Sequence, residues 1–201
     1  MGLNLAIFVF KDVEVLDFAG PFEVFTTANR VIKKTKGGDA PFNVFTVSQN
    51  DALITARAGL SIQVDKQFAN HPNIDVLVVP GGVVSEELKK PDVISWISNT
   101  DTRTQLTASV CTGAFLLAKA NILHGRSVTT HWEDIPELQT DFPTLIVKNG
   151  VRWVDQGKYV TSAGISAGID MSLHLVSRLV DEELAIKTAR QMEFDWTRNP
   201  T

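Results

Sequence analysis

The sequence contains a single cysteine, Cys111, and its surroundings are typical of a reactive thiol. The apolar segment 105–110 predicts a strand that runs directly into Cys111, and a helix of small and apolar residues is predicted from Thr112. This order resembles a nucleophile elbow, where a sharp turn exposes the side chain and Gly113 and Ala114 leave room for it. Free amides at a helix N-terminus favour thiolate over thiol. The alternative is that Cys111 is a small buried apolar residue, as free cysteines often are.

Two other features follow predicted strands and could assist a thiol. Asp17 comes after the first strand, and its carboxyl could share the thiol proton or act as a general acid or base. Asp is also well suited to capping a helix, which is the alternative for Asp17. The segment Pro80-Gly81-Gly82 follows another apolar strand, and its backbone N–H groups could stabilise an anion formed when a thiolate attacks carbon. The alternative is an ordinary turn that ends the strand.

Two further segments are weaker candidates. His131 follows a short predicted strand and could form a Cys/His pair with Cys111, or could be a structural histidine. The small residues 162–168 indicate close packing of a helix on the sheet first, and a narrow pocket second. We expect no metal, because no paired Cys or His stands at ligand spacing. We expect no dinucleotide cofactor, because no Gly-x-Gly-x-x-Gly follows the first strand.

Alternating strands and helices must position these side chains. Strands are predicted at Leu5–Phe10, Phe42–Val47, Asp75–Val79, Gln105–Val110, Ser127–Thr130, Leu145–Val147, Val151–Val154 and Tyr159–Thr161, with a hairpin at Thr55–Val64. Helices are predicted from the turn that contains Pro21 to the loop at Lys33, and at Ser85–Asn99, Thr112–Asn121, Glu133–Gln139, Ala167–Val180 and Glu182–Phe194. This alternation predicts an α/β fold with a mostly parallel central sheet flanked by helices on both faces, a flavodoxin-like three-layer sandwich. Reactive groups in such sheets gather at the carboxyl ends of the strands, so we expect the candidates to meet there.

The composition restricts the class of protein. A length of 201 residues predicts one domain, 1–201, and a net charge of −4 gives no global field that favours nucleic acid. No apolar run reaches the roughly 18–20 residues that span a bilayer, and the N-terminus reads as a first strand and not as a signal peptide. A lone cysteine fits a reducing compartment, so we expect a cytoplasmic protein.

These segments together resemble a known family. They occur in the order found in the ThiJ/PfpI superfamily, which has the type 1 glutamine amidotransferase-like fold, and the resemblance extends from Leu3 to about Glu193. The sequence resembles most the isonitrile hydratase branch and the sensor domains of related AraC-type regulators. In that branch an Asp follows the first strand, matching Asp17, and a Thr often follows the nucleophile, matching Thr112. Intracellular protease members carry His at that second position, so peptidase activity is not expected.

The resemblance implies roles for individual residues. It implies Cys111 as nucleophile, Asp17 as its proton partner, Thr112 as a polar aid, and an oxyanion hole formed by Gly82 and the backbone of Thr112. His131 matches a position near the nucleophile that has no agreed role. The resemblance also implies a homodimer that acts on a small molecule without a cofactor. The leading hypothesis is a hydratase that converts an isonitrile to an N-substituted formamide; the alternatives are a non-enzymatic ligand or redox sensor, and a glyoxalase- or deglycase-like enzyme acting on reactive carbonyls.

Overall fold

The structure is a computed structural model that describes residues 2–198. Its strands, in chain order, are β1 Leu3–Phe8, β2 Phe42–Ser48, β3 Leu53–Thr55, β4 Ser61–Gln63, β5 Lys66–Gln67, β6 Val76–Val79, β7 Leu106–Val110, β8 Ser127–Val128, β9 Ile146–Val147, β10 Trp153–Gln156 and β11 Tyr159–Ser162. Its α-helices are α1 Val15–Lys36, α2 Pro91–Asp101, α3 Gly113–Lys119, α4 Ile135–Asp141, α5 Ala167–Leu179 and α6 Glu182–Gln191. Short 3₁₀ turns occur at Arg57–Gly59, Glu87–Lys89 and Trp132–Asp134.

A seven-stranded sheet in the order β10-β11-β7-β6-β1-β2-β5 forms the centre of the molecule. All neighbouring strands in it are parallel except β10, which runs antiparallel to β11. Every residue of β6 and β7 is buried, as expected for strands covered on both faces. Helices α1, α5 and α6 pack against one another, and α2 packs against α3. The predicted flavodoxin-like fold, with a mostly parallel sheet flanked by helices, is therefore confirmed.

Helix α1 differs from the prediction in a way that matters for the site. It begins at Val15 and not near Pro21, which lies inside the helix. Proline has no N–H, so Pro21 leaves the carbonyl of Asp17 without the usual intrahelical donor. The helix still continues to Lys36, where Gly37 ends it with a φ of 62°. Asp17 therefore lies within the first turn of α1, and Glu14 is the N-cap residue.

The strand order brings three chain segments to one edge of the sheet. Strand β6 lies between β1 and β7, and the three run parallel, so the residues that follow them emerge side by side. An isolated bridge between Val13 and Gly82 ties the first two of these segments together. Within residues 2–198, no helix has the length and apolar character needed to cross a membrane.

Candidate active site

Cys111 occupies a strained turn between β7 and α3. Its φ is 55°, in the left-handed region, where a non-glycine residue costs on the order of 1–3 kcal/mol. Two hydrogen bonds hold this conformation: the Cys111 N–H donates to the Ser162 carbonyl at 3.1 Å, and the Thr130 hydroxyl donates to the Cys111 carbonyl at 2.8 Å. The predicted elbow is thus present, and the surrounding backbone maintains it.

Small residues keep the space around the sulfur open. A Cβ at Gly164 would lie 2.7 Å from the Cys111 Sγ, and a Cβ at Gly81 would lie 2.9 Å from the Cys111 Cβ. Gly168, in the same small-residue segment, lets α5 pack onto β7, since a Cβ there would lie 2.8 Å from a Val110 methyl. Both interpretations of segment 162–168 therefore hold, each for a different glycine.

Asp17 lies next to the thiol and is fully buried. Its Oδ2 accepts a hydrogen bond from the Gly81 N–H at 3.1 Å, and its Oδ1 has no hydrogen-bond partner among residues 2–198. Burial is the main cause that raises the pKa of Asp17 from 3.8 to about 7, and the negative charge of Glu14 also raises it. The hydrogen bond from Gly81 and a smaller interaction with the Cys111 side chain lower it. The helix-capping alternative is wrong for this side chain, which faces Gly81 and Cys111 and not the start of α1.

The thiol is not ionised by the helix terminus. Burial is the largest cause that raises the pKa of Cys111 far above its ordinary value, and the charge of Asp17 raises it further. The Thr112 N–H lowers it, but by less. Thr112 is the N-cap residue of α3, which is only seven residues long. The prediction that backbone amides hold a resting thiolate is therefore wrong, because desolvation outweighs the short helix.

Thr112 and Gly82 both line the pocket and are hydrogen-bonded to each other. The Gly82 N–H donates to the Thr112 Oγ1 at 2.9 Å, and that hydroxyl lies 3.0 Å from the Gly82 carbonyl, to which it can donate. The Gly82 N–H must exchange this partner before it can bind an oxyanion, whereas the Thr112 N–H already faces the sulfur. The oxyanion hole stays a prediction. Its two predicted donors are the Gly82 N–H, which is bonded to the Thr112 hydroxyl, and the N–H of Thr112 itself.

His131 lies at the same site, across Gly164 from the sulfur. A Cβ at Gly164 would contact the His131 Cδ2 at 2.8 Å as well as the sulfur. The His131 Nδ1 lies 3.4 Å from Asp134 Oδ2 and 4.0 Å from Glu133 Oε2. Two carboxylates thus lie near the imidazole, and its role in a Cys/His pair stays a prediction.

A pocket of about 330 Å³ opens onto the sulfur. Its lining combines the predicted residues with charged and apolar ones: Glu14, Arg57, Gly82, Val83, Cys111, Thr112, His131, Glu133, Asp134 and Ile165. Sequence reasoning missed Glu14, Arg57, Glu133 and Asp134. Adjacency to Asp17 and His131 could have indicated three of them, but no local signal brings the β3–β4 hairpin, with Arg57, to this edge. Within the described residues, no three His, Cys, Asp or Glu side chains are grouped so as to hold a metal ion.

The fold and site define a class of protein: an α/β protein with a cysteine on a strand-to-helix elbow, paired with a buried carboxyl. The sequence profile of the DJ-1/PfpI family matches residues 4–178, so the chain belongs to the DJ-1/PfpI family. The match covers β1 through nearly all of α5 and includes both Asp17 and Cys111.

Similar proteins include an enzyme and a regulator. Isonitrile hydratase from Pseudomonas putida is 30% identical over 195 residues, which cover 96% of this chain and 79% of that protein. The HTH-type transcriptional regulator GbdR from Pseudomonas aeruginosa is 25% identical over 196 residues, covering 98% of this chain but only 52% of the regulator. The chain thus spans about half of that regulator.

The fold also matches solved structures. A ThiJ/PfpI family protein from Pseudomonas syringae superposes with a TM-score of 0.84 at 24% identity, covering 100% of this chain and 78% of that one. At this identity the likeness establishes the fold alone.

Proposed function

We propose that the protein is a cysteine-dependent hydratase that converts a small isonitrile to an N-substituted formamide. The observation that carries the proposal is the elbow Cys111 beside a buried Asp17 whose pKa is raised to about 7. A carboxyl of that acidity exchanges protons readily near neutral pH. The 30% identity to an isonitrile hydratase supports this choice of substrate class.

In the first half of the reaction, a thioformimidate forms. The Asp17 carboxylate takes the thiol proton as Sγ attacks the terminal carbon of the isonitrile, R–N≡C, so that activation and attack occur together. The S–C bond forms, one C–N π pair becomes a lone pair on nitrogen, and the carbon takes the proton from Asp17 on the lone pair that it already carried in the isonitrile. The product is R–N=CH–S–Cys111, and Asp17 is again ionised.

In the second half, water releases the product. Asp17 removes a proton from water as its oxygen adds to the imidate carbon, and the nitrogen takes up that proton. The adduct R–NH–CH(OH)–S–Cys111 then collapses: the C–S bond breaks, the hydroxyl proton passes through Asp17 to sulfur, and R–NH–CHO leaves. The sum is one isonitrile and one water to one formamide, with no change in oxidation state and the thiol restored.

The test is formamide production from a small isonitrile by the wild type and by Cys111→Ala, with the adduct sought by intact-protein mass spectrometry. We expect turnover by the wild type and a loss of at least about 10³-fold in the variant, as for removal of other enzyme nucleophiles. Rapid acid quenching of the wild type should give a mass increase equal to one substrate molecule, on Cys111 only. Equal formamide production by both proteins would overturn the proposal, and turnover of methylglyoxal in place of the isonitrile would favour the reactive-carbonyl alternative.

A second candidate function is ligand sensing without turnover. It is favoured by the 25% identity to half of a transcriptional regulator. Redox sensing fits less well, because the raised pKa of Cys111 leaves little of the thiolate that oxidants attack. Saturable binding of an isonitrile with no formamide released over hours would support sensing. Oxidation of Cys111 by stoichiometric peroxide within minutes would restore the redox alternative.

A further inference from the structure

The pocket mouth carries more negative than positive charge. Glu133 is 64% exposed at the rim, and Asp134 is 29% exposed below it. The guanidinium of Arg57 is already paired with Glu14, at 3.0 Å between Nη1 and Oε2. Arg57 therefore cancels Glu14 and leaves Glu133 and Asp134 without a matching cation other than His131.

His131 cannot neutralise this rim. Its Nδ1 lies within 4.0 Å of both Asp134 and Glu133, so one imidazole serves two carboxylates. Even a fully protonated imidazole leaves one negative charge beside the entrance, and a neutral imidazole leaves two. Ionised Asp17 does not line the pocket, but its negative charge also acts on Cys111.

The negative charge of the pocket mouth also acts on the sulfur of Cys111. After burial and Asp17, the negative charge of Asp134 is a further cause that raises the pKa of Cys111. Near the sulfur, but outside the pocket lining, the Oδ1 of fully buried Asp17 accepts no hydrogen bond from any described residue. Within the pocket lining, Glu133 and Asp134 present acceptors and negative charge to a ligand that enters.

The remaining wall suits a short apolar linker. Val83 and Ile165 line the pocket, and both are partly exposed, at 45% and 38%. A volume of about 330 Å³ lies at the small end of ligand pockets, which run from roughly 300 to 1,000 Å³. A pocket of this size, lined by Cys111, Glu133 and Asp134, suits a short electrophile.

We propose that the substrate of this pocket carries a positively charged group, such as an ammonium, a few bonds from its electrophilic carbon. The inference rests on the cysteine-dependent function proposed above and names its substrate class. The cationic end pairs with Glu133 and Asp134 while the reactive end meets Cys111. At an effective dielectric constant of about 40, one carboxylate about 7 Å from the cationic group of the substrate changes the binding or rate constant by about tenfold.

Charged thiol reagents test the proposal independently of any turnover. Cys111 is the only cysteine, so intact mass reports its modification without ambiguity. Three methanethiosulfonates are compared: a trimethylammonioethyl, a neutral methyl and a sulfonatoethyl reagent. In each case sulfur attacks the reagent's divalent sulfur, an S–S bond forms, methanesulfinate leaves, and the thiol proton passes to Asp17 or solvent. The rate constant of each reagent with the protein is divided by the rate constant of the same reagent with 2-mercaptoethanol, so that the intrinsic reactivities of the three reagents cancel.

The matched variants remove two charges in different places. Glu133→Gln with Asp134→Asn neutralises the rim, and Glu137→Gln with Asp141→Asn makes the same change in net charge on α4, outside the pocket lining. We expect the wild type and the α4 variant to prefer the cationic over the anionic reagent by at least about tenfold after normalisation. The rim variant should lose most of that preference, and 0.5 M salt should weaken it in the wild type.

The outcomes separate this inference from the function it rests on. A normalised ratio near one in the wild type, or an equal fall in both double variants, would overturn the charge preference whether or not the protein turns over isonitriles. A rim-dependent ratio without isonitrile turnover would retain the cationic ligand class and reject the hydratase. If the hydratase is active, kcat/KM for an ammonium-bearing isonitrile should exceed that for its carboxylate analogue, and the reverse order would contradict the inference.

Discussion

Two of the buried aspartates, Asp101 and Asp17, differ in the number of hydrogen-bond donors around them, and this contrast bears on the chemistry of the site. Asp101, at the end of α2, is buried among donors. Its carboxylate accepts from the Thr107 hydroxyl at 2.7 Å and the Tyr159 hydroxyl at 3.0 Å, and it lies 3.4 Å from the Lys158 ammonium. Every one of these partners replaces water that the carboxylate lost on folding.

Asp17 is buried more deeply and has fewer donors. It accepts one backbone hydrogen bond, from Gly81, and its second oxygen has no partner in the described part of the chain. No lysine or arginine lies beside it as Lys158 lies beside Asp101; the charge of Arg57 has only a small effect on the pKa of Asp17.

Asp101 and Asp17 show how one residue type can serve two purposes. A carboxylate surrounded by donors ties together the elements around it. A carboxyl deprived of donors has a raised pKa and can accept and release a proton near neutrality. On this account Asp101 stabilises the fold, and Asp17 is retained at a cost in stability because it serves the chemistry of Cys111.

The largest expected effect is on catalysis. Asp17→Asn removes the group that moves the proton, and kcat/KM for the proposed hydration should fall by about 10²–10⁴-fold. Asp101→Asn, assayed at a temperature where it remains folded, should stay within about threefold of the wild type. Comparable losses in both variants would remove the contrast between the two aspartates.

The second effect is on stability and runs the other way. Asp101→Asn leaves Lys158 without its charge partner in a half-buried position, and the free energy of unfolding should fall by about 2–4 kcal/mol. Urea denaturation at pH 8 measures it, and Asp17→Asn provides the control, with no destabilisation expected at that pH. An Asp101→Asn variant with the same free energy of unfolding as the wild type would show that the hydrogen bonds of Asp101 do not stabilise the fold.

The third effect depends on pH. The pKa of Asp17 is 3.8 unfolded and about 7 folded, so the folded state binds more protons between these values. Stability from this group is therefore fully present below about pH 4, falls as pH rises, and levels off above about pH 7. Asn cannot ionise, so Asp17→Asn should gain about 3–4 kcal/mol relative to the wild type between pH 4 and pH 8. A difference that is constant over this range would contradict the raised pKa.

The smallest effect concerns the elbow. Because Cys111 has a φ of 55°, Cys111→Gly should be more stable than Cys111→Ala by about 1 kcal/mol, although glycine buries less surface. The matched pair in the regular strand, Ala108→Gly against the wild type, should show the opposite sign. Thermal unfolding of these variants measures both differences, and a Cys111→Gly less stable than Cys111→Ala would mean that the turn is not strained.

Much of the fold could be predicted from the sequence. Strands such as β6 and β7 are continuous apolar runs because both faces are covered, and a parallel sheet brings the residues after them to one edge. The meeting of Asp17 with Cys111 follows from that order. Strand β5, two residues long and without an apolar run, left no pattern to detect.

The acid–base state of the site could not be predicted. Sequence placed Cys111 before a helix and predicted a thiolate, but whether a dipole or desolvation prevails depends on how deeply the sulfur is buried. That burial is set by distant segments, including Gly164 and the chain around Gly81. The start of α1 at Val15 was likewise not predicted, because proline is typical of the first turn of a helix and Pro21 therefore suggested a later start.

The measurement closest to the central claim is a titration of the Asp17 carboxyl by ¹³C NMR, assigned by comparison with Asp17→Asn. The account predicts a midpoint near pH 7, with the 240 nm thiolate absorbance of Cys111 still absent at that pH. A carboxyl that titrates near its ordinary 3.8, together with a thiol already ionised at neutral pH, would contradict it.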